Sequence, residues 1–563
     1  MSSDPTSSTI IERRGDQAFP VLNADQMATA RRFGGKPKQF KPGEVVYGVG
    51  ELGASAYLVL EGSINVVRHD GFSEDSLITT HKPGQISGEI SQLTGGATLG
   101  LGKAGPEGCT AVPFDATQLR ALLIGSAELG ELLMRAYILR RMALFETHAG
   151  VVLLSTAGSP DSLPLQNFLR RNAFPYNVID PRENAEAAQL LDRLGVLESE
   201  LPVALCPDGT LMRRPTEAQL ARCIGLLPEL NPERVFDVAI VGAGPAGLAA
   251  AVYAASEGLS VLVLDERAFG GQAGASARIE NYLGFPTGIS GQALMARAFT
   301  QAEKFGAVMA IPARVTQLQC KDVGTDKPAM QLQLHDNQSV RASSIVVATG
   351  ARYRRPDLPD LSTYEGHGIY YWASPIEAKL CAGEEVILVG GGNSAGQAVA
   401  YLAAQSAKVH LVVRAKSLEA SMSRYLIDRL DALPNLELHT ECELSRLMGE
   451  NGRLQAVCWR DRRTGQEEKR AIRHVFLFIG ADPNAAWLAD CAIEIDAKGF
   501  VKTGLDLLKE KDGQRIPAPL ETSRRGVFAV GDVRAASVKR VASAVGEGAA
   551  VVAQLHAYLA GIH

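Results

Sequence analysis

The sequence predicts a multidomain chain: a β-roll followed by a helix, then a small mixed α/β module, then two parallel-sheet α/β domains. Three observations predict it. At 563 residues the chain is too long for a single hydrophobic core. The rhythm of apolar runs and turn residues changes near residues 151 and 232. Two segments, starting at Val235 and Glu385, each pass from an apolar strand through a glycine-rich turn into a helix.

Residues 35–115 are punctuated by Gly43, Gly50, Gly53, Gly62, Gly84 and Gly88, with short apolar runs between them such as Val45–Tyr47 and Ile64–Val67. That spacing predicts short antiparallel strands. Ala127 to Leu144 has apolar residues three to four apart, which predicts a helix. The next segment alternates. Val151–Ser155, Tyr176–Ile179 and Pro202–Leu205 read as strands, and Asp208-Gly209 as a turn. Leu163–Asn172, Glu186–Leu194 and Thr216–Gly225 read as helices. Pro228 and Pro232 mark the boundary that follows.

Bulk properties restrict the function class. With 46% hydrophobic and 21% charged residues and a net charge of −5, the chain has no basic footprint for nucleic acid or anionic lipid. The polar, Ser-rich start has no apolar core segment, so no signal peptide is expected. Val238–Ala255 is apolar, but its glycines and Pro245 fit a strand turning into a helix, not a bilayer span. Cys109, Cys206, Cys223, Cys320, Cys381, Cys442, Cys458 and Cys491 are scattered, with no Cys-x-x-Cys pair. They are expected to be buried thiols in a reducing, cytoplasmic setting, with no disulfide framework and no metal site.

The first glycine-rich unit carries the sharper chemistry. Strand Val235–Val241 meets Gly242-Ala243-Gly244-Pro245-Ala246-Gly247, then the helix Leu248–Glu257, then a strand ending on Asp265. Gly242 allows a tight turn, Gly244 lets backbone approach a pyrophosphate, and Gly247 lets helix and strand pack closely. Pro245 and Ala246 complete the turn. The helix start offers free N–H groups to the phosphates, and Asp265 offers a carboxylate to ribose hydroxyls. In the second unit, strand Glu385–Val389 meets Gly390-Gly391-Gly392-Asn393-Ser394-Ala395, then a helix Gly396–Gln405 and a strand Val409–Val413 ending at Arg414. A cation at that position favours the 2′-phosphate of NADP over the bare ribose of NAD.

With these motifs in view, Val235–His563 resembles the low-molecular-weight thioredoxin reductase family. The likeness includes Gly270-Gly271-Gln272, Glu280-Asn281, Gly284-Phe285-Pro286, Ala348-Thr349-Gly350 and Gly526-Val527-Phe528-Ala529-Val530-Gly531-Asp532. It implies two Rossmann-like α/β domains, one for FAD (233–355 and 476–563) and one for NAD(P) (356–475) inserted between its halves. It implies FAD contacts from Gly271, Gln272, Asn281, Val315, Thr349, Gly350, Gly531 and Asp532, with Lys539, Arg540 and Val541 near the flavin ring. It implies coenzyme contacts from Gly390, Gly392, Asn393, Ser394, Ala395 and Arg414, with NADPH expected and NADH or a protein donor left open. A homodimer is expected on the same ground.

The departures from that family set the functional question. The redox pair of cysteines is absent: Trp372 and Pro375 stand in its place within Tyr371-Trp372-Ala373-Ser374-Pro375. Neither residue can form the thiolate that disulfide exchange requires. Ala415 and Glu419 stand where two further arginines of the coenzyme clamp would be. No acid or base catalyst is assigned.

The N-terminal segments carry two further resemblances. Residues 1–150 resemble a cyclic-nucleotide-binding domain, with Gly88-Glu89 at the start of its phosphate cassette. The arginine that would pair with the cyclic phosphate is missing, since none occurs between His81 and Leu119. Residues 151–232 resemble a glutaredoxin or thioredoxin-like α/β module. There Ser159-Pro160-Asp161-Ser162 replaces the dithiol turn, and Leu201-Pro202-Val203 matches the cis-proline loop.

Three readings stay open at this point. One is an FAD- and NAD(P)H-dependent oxidoreductase with a small-molecule or protein electron acceptor. Another is a regulatory flavoprotein sensing a ligand or partner through its N-terminal domains. The third is a thioredoxin reductase that uses other cysteines, such as Cys381.

Overall fold

The computed structural model describes residues 10–51, 53–68, 76–94, 98, 100–146, 150–156, 159–193, 195–206, 209–276, 278–319, 330–373, 375–507 and 516–561. Cys320, Ser374, Asp208 and Gly95–Ala97 lie outside them. The chain forms two compact units. One contains Met1–Ile240, Ala251–Phe269 and Phe299–Ser344; the other contains Val241–Ala250, Gly270–Ala298 and Ile345–His563.

In the first unit, strands β1 (Lys38–Phe40), β2 (Val45–Tyr47), β3 (Ala56–Arg68), β4 (Ser76–His81), β5 (Ile86–Ser87) and β6 (Leu101–Phe114) form one six-stranded sheet. Its order is β1-β6-β3-β4, with β2 on β6 and β5 on β3, all antiparallel. Leu58, Val112 and Phe114 of the sheet pack with Leu119, Leu122 and Tyr137 of the following helices Ala116–Gly125 and Ala127–Glu146. Asp115 caps the first of these helices through a reciprocal bond pair with Gln118, which fixes where the sheet ends and the helix begins.

Next come β7 (Val151–Leu154), β8 (Tyr176–Ile179), β9 (Val203–Leu205) and β10 (Leu211–Arg213), in the order β10-β9-β7-β8. β7 and β8 run parallel while β9 is antiparallel to β7 and β10. The Leu201-Pro202 peptide bond is cis, as expected of the proline loop. One expectation fails here. Cys206 and Cys223 are joined in a disulfide. Cys206 follows β9 and Cys223 ends the helix Glu217–Cys223, so the bond joins a strand end to a helix end across 17 residues of sequence. This segment is therefore not without sulfur chemistry, although Ser159 and Ser162 stand at the start of its first helix where the resemblance would place cysteines. Cys491 is also disulfide-bonded, while Cys109, Cys381, Cys442 and Cys458 are free and buried, as expected of small apolar thiols.

The third sheet contains β11 (Val235–Val241), β12 (Val261–Leu264), β13 (Val308–Ala310), β14 (Val315–Gln319), β15 (Met330–Leu334) and β16 (Ser339–Val347). Its order is β13-β12-β11-β16-β15-β14. β11 and β12 are almost continuously apolar because both of their faces are covered.

In the second unit, β17 (Ala351–Tyr353), β18 (Ile369–Tyr370), β19 (Glu385–Val389), β20 (Lys408–Val412), β21 (Leu436–His439), β22 (Cys442–Glu450), β23 (Arg453–Asp461), β24 (Glu467–Arg470), β25 (His474–Leu477), β26 (Ala481–Pro483) and β27 (Val527–Ala529) follow in order. β18-β25-β19-β20-β21 form a parallel sheet. Val399, Leu402 and Leu426 cover one of its faces; Leu444, Val457 and Trp459, from the antiparallel β22-β23-β24 sheet, cover the other. β27 lies parallel to the end of β16, pairing Ile345 with Val527 and Val347 with Ala529. Among the described residues no helix is long and apolar enough to cross a membrane.

Candidate functional site

The first cradle is built by contacts that leave no room for side chains except at one point. Gly242 has φ +111°, and a Cβ there would lie 2.3 Å from the Ala348 carbonyl oxygen. A Cβ at Gly247 would lie 1.9 Å from the Gly242 carbonyl oxygen. A Cβ at Gly244, in contrast, would meet only the Gly271 Cα, at 4.0 Å. Backbone is thus packed hard beneath the turn and open above it, as a pyrophosphate requires. The helix begins at Pro245, three residues earlier than expected, because proline suits a first helical turn whose N–H is unpaired anyway. Pro245 and Ala246 therefore stand at the helix start and not in a preceding turn.

The C-terminal motif closes on this cradle. A Cβ at Gly531 would lie 2.9 Å from the Ala246 Cβ, and one at Gly548 would lie 2.2 Å from the Ala246 carbonyl oxygen. Glu547 accepts from the Gly531 N–H at 2.7 Å and pairs with Arg534 at 2.6 Å. Sequence reasoning missed Glu547 and Gly548; the Gly-Glu-Gly run at 546–548 was the available signal. Burial raises the Asp532 carboxyl above its usual range, against the opposing pull of Lys539. Lys539 donates to the Asp532 carbonyl, and Arg540 caps the helix that opens at Val541. Thr349 donates to the Asn484 carbonyl at 2.7 Å, and Gly350 accepts from the Asn484 N–H at 3.1 Å. Gly271 and Gln272 open a short helix, and Gln272 donates to the Ala351 carbonyl. Asn281 is exposed.

Two expected contact residues lie in the first unit. Val315 starts β14. Asp265, just after β12, accepts at Oδ1 from the N–H groups of Arg267 (2.9 Å) and Ala268 (3.1 Å), which fixes its carboxylate.

The second cradle repeats the physics. Gly390 has φ +141°, and a Cβ there would lie 2.2 Å from the Phe478 carbonyl oxygen. A Cβ at Gly392 would have only the Ser421 carbonyl within reach, at 3.9 Å. Gly392 caps the helix Asn393–Leu402, which again starts three residues before the expected Gly396. Asn393 accepts from the Ser423 N–H at 2.7 Å, pinning the loop after β20 against the turn. Ser394 is exposed and Ala395 is buried in the helix base. Arg414 is largely exposed, with Nε 3.4 Å from Glu443.

Trp372 and Pro375 lie between β18 and β19. Trp372 Nε1 donates to the buried Glu377 at 3.1 Å, and Pro375 opens the helix Pro375–Leu380. Cys381 is fully buried, beside the Ala378 carbonyl and Ser406, and burial pushes its thiol up. It cannot present a thiolate to another disulfide.

A family profile decides what these cradles belong to: the one described as "Pyridine nucleotide-disulphide oxidoreductase" matches residues 236–548. The chain belongs to the pyridine nucleotide-disulphide oxidoreductase family. A cyclic nucleotide-binding domain profile matches residues 37–123. The chain is 31% identical over 331 residues to a component of alkyl hydroperoxide reductase from Pseudomonas putida, covering 57% of this chain and 58% of that protein. It is also 31% identical over 317 residues to thioredoxin reductase of Treponema pallidum, covering 56% of this chain and 95% of that protein. In three dimensions it is similar to thioredoxin reductase of Lactococcus lactis, with 27% identity, 58% and 99% of the two chains covered and a TM-score of 0.52. The chain thus spans little more than half of the first relative and nearly all of the other two.

At the N-terminus of this family member, Glu89 is not open to a ligand. Arg140, from the helix Ala127–Glu146, donates to it at 2.6 Å, and also to the carbonyls of Ile86 (2.9 Å) and Ala18 (2.6 Å). Both charges are buried. His81 is buried nearby, and burial together with the Arg140 charge pushes its imidazole down to about 3.

Proposed function

We propose that the chain is an FAD-dependent oxidoreductase that oxidises NADPH, or less selectively NADH, and passes the electrons to an acceptor outside its own sulfur chemistry. The observation that carries this is the pair of cradles in which Gly242, Gly247 and Gly390 are closed against backbone, while a Cβ at Gly244 or Gly392 would meet nothing nearer than 3.9 Å. Gly242–Gly247, Gly271, Gln272, Asn281, Thr349, Gly350, Gly531 and Asp532 would hold FAD. Lys539, Arg540 and Val541 would border the ring. Gly390, Gly392–Ala395 and Arg414 would hold the nicotinamide coenzyme. FAD, when bound, supplies the two-electron acceptor for the nicotinamide hydride. The chain's own part is placement: two helix starts would fix the pyrophosphates, Glu547 locks the Gly531 turn by hydrogen bonds, and Trp372, on the resemblance to thioredoxin reductases, would replace a redox cysteine.

On this reading the chain divides into 1–150, 151–232, 233–355 with 476–563, and 356–475. Residues 151–232 are then thioredoxin-like, supported by the β10-β9-β7-β8 order. Residues 1–150 are a β-roll without a free nucleotide acid, supported by the Glu89–Arg140 pair.

Anaerobic addition of NADPH and NADH to the purified protein tests the proposal. Bleaching of the 450 nm flavin band, faster with NADPH, is expected, with reoxidation by some member of a panel of disulfides, quinones and oxygen. Protein that contains no flavin and takes none up would overturn it.

A further inference from the structure

We propose that His410, Glu437 and His439 form a binding site for a zinc-class divalent cation on the inserted parallel sheet. Strand register brings them together. His410 of β20 pairs with Glu437 of β21, and Val412 pairs with His439, so two neighbouring strands present three ligating side chains at one place. His410 Nδ1 lies 3.1 Å from His439 Nε2. Glu437 Oε1 lies 3.5 Å from His439 Nε2, and its Oε2 lies 3.8 Å from His410 Nδ1. All the candidate ligand atoms fall within 4.8 Å of one another. Two nitrogens bound at about 2.05 Å in a tetrahedral site stand about 3.3 Å apart, close to the spacing here.

The surroundings favour an ion over a mere hydrogen-bonded pair. His410 Nε2 lies 3.1 Å from Glu385, a contact that favours the tautomer with its proton on Nε2 and the Nδ1 lone pair toward His439. A carboxylate behind a histidine in this way is the usual support for a metal-ligating imidazole. Trp459 packs on both rings, with centroids at 4.8 Å from His439 and 5.6 Å from His410, which holds their orientation. His410 is fully buried, whereas the Glu437 side chain is 38% exposed, leaving a solvent side for entry and a water ligand. Lys408 also pairs with Glu437 and is the internal competitor that an ion must displace or share with. Nitrogen and carboxylate donors with no sulfur select a zinc-like ion over magnesium or calcium.

The location gives the ion a structural consequence. The Val413 N–H donates to the His439 carbonyl at 2.9 Å, and the next residue is Arg414. A cation bound between β20 and β21 would clamp both strands just before the turn that carries Arg414.

The test uses the full chain, stripped of metal with a chelator and dialysed. Zn²⁺ is titrated against a chromophoric competitor, with Mg²⁺ in parallel, and Co²⁺ absorption reports the donor atoms. One Zn²⁺ per chain is expected, with no competition from millimolar Mg²⁺ and a Co²⁺ spectrum without a sulfur charge-transfer band. Affinity is expected to fall at least 100-fold in His439→Gln and Glu437→Gln, and about 10- to 100-fold in Glu385→Gln. Circular dichroism and flavin content confirm that the variants are folded. Unchanged binding in both ligand variants, no binding by the unsubstituted protein, or an intense thiolate band would overturn the proposal. None of these outcomes depends on flavin reduction.

Discussion

Two kinds of region in this chain carry sequence signs of meeting a phosphate ester, and they differ in what the fold places beside them. At Gly88-Glu89 the acid is bonded to the chain's own Arg140, and the guanidinium donates to two backbone carbonyls as well. At Gly242–Gly247 and Gly390–Ala395 the backbone is crowded on one side and open on the other. A charge already neutralised from within has no need of a ligand. A row of N–H groups at a helix start does. The missing arginine between His81 and Leu119 already set Gly88-Glu89 apart in the sequence, and its neighbours in the fold widen the difference.

The largest effect expected from pressing this contrast is at Gly244. Gly244→Val has room to fold, yet fills the space above the turn, so flavin content should fall from near one per chain to near zero. The ratio of 450 nm to 280 nm absorbance measures it, and a retained melting transition shows that the fold survives. Next is Arg140→Met, which strands a buried Glu89 carboxylate and should cost about 3–5 kcal/mol of stability in denaturant unfolding, with flavin retained. Adding Glu89→Leu should recover part of that loss, because no buried charge is then unpaired, although the Ala18 and Ile86 carbonyls still lose the Arg140 donor.

Acid should probe the same region more gently. The His81 imidazole is held down to about 3 in the fold, against an ordinary value near 6.5 when unfolded. Below that ordinary value the unfolded chain binds a proton that the folded chain refuses. Stability should therefore fall as pH drops from about 6.5 toward 3, at up to about 1.4 kcal/mol per pH unit. Urea midpoints at pH 7, 6 and 5 follow this slope, which His81→Leu should flatten. The smallest effect is at Arg414. Its exposure and its Glu443 partner weaken it, so Arg414→Ala should raise the NADPH KM only about three- to tenfold, leaving the NADH KM unchanged.

What could be read from the sequence was mostly local. β8, β11 and β19 have the boundaries that their apolar runs suggested, and the cis bond stands at Pro202. Both cradle helices began three residues early, because Pro245 and Asn393 suit a first turn better than a loop. What escaped was pairing at a distance. Glu89 meets Arg140 across 51 residues, His410 meets His439 across 29, and Cys206 meets Cys223 across 17. No turn chemistry or periodicity announces such partners, since tertiary packing alone brings them together.

The Cys206–Cys223 bond bears on how this stretch of chain behaves once it is cut. It ties the end of a central strand to the end of the last helix of its module, closing a covalent ring around β10. A peptide bond broken inside that ring leaves both fragments attached, migrating as one band until a reductant is added. Nicking there would pass unnoticed on a non-reducing gel, and the module would keep its strands in register after losing the continuity of its backbone.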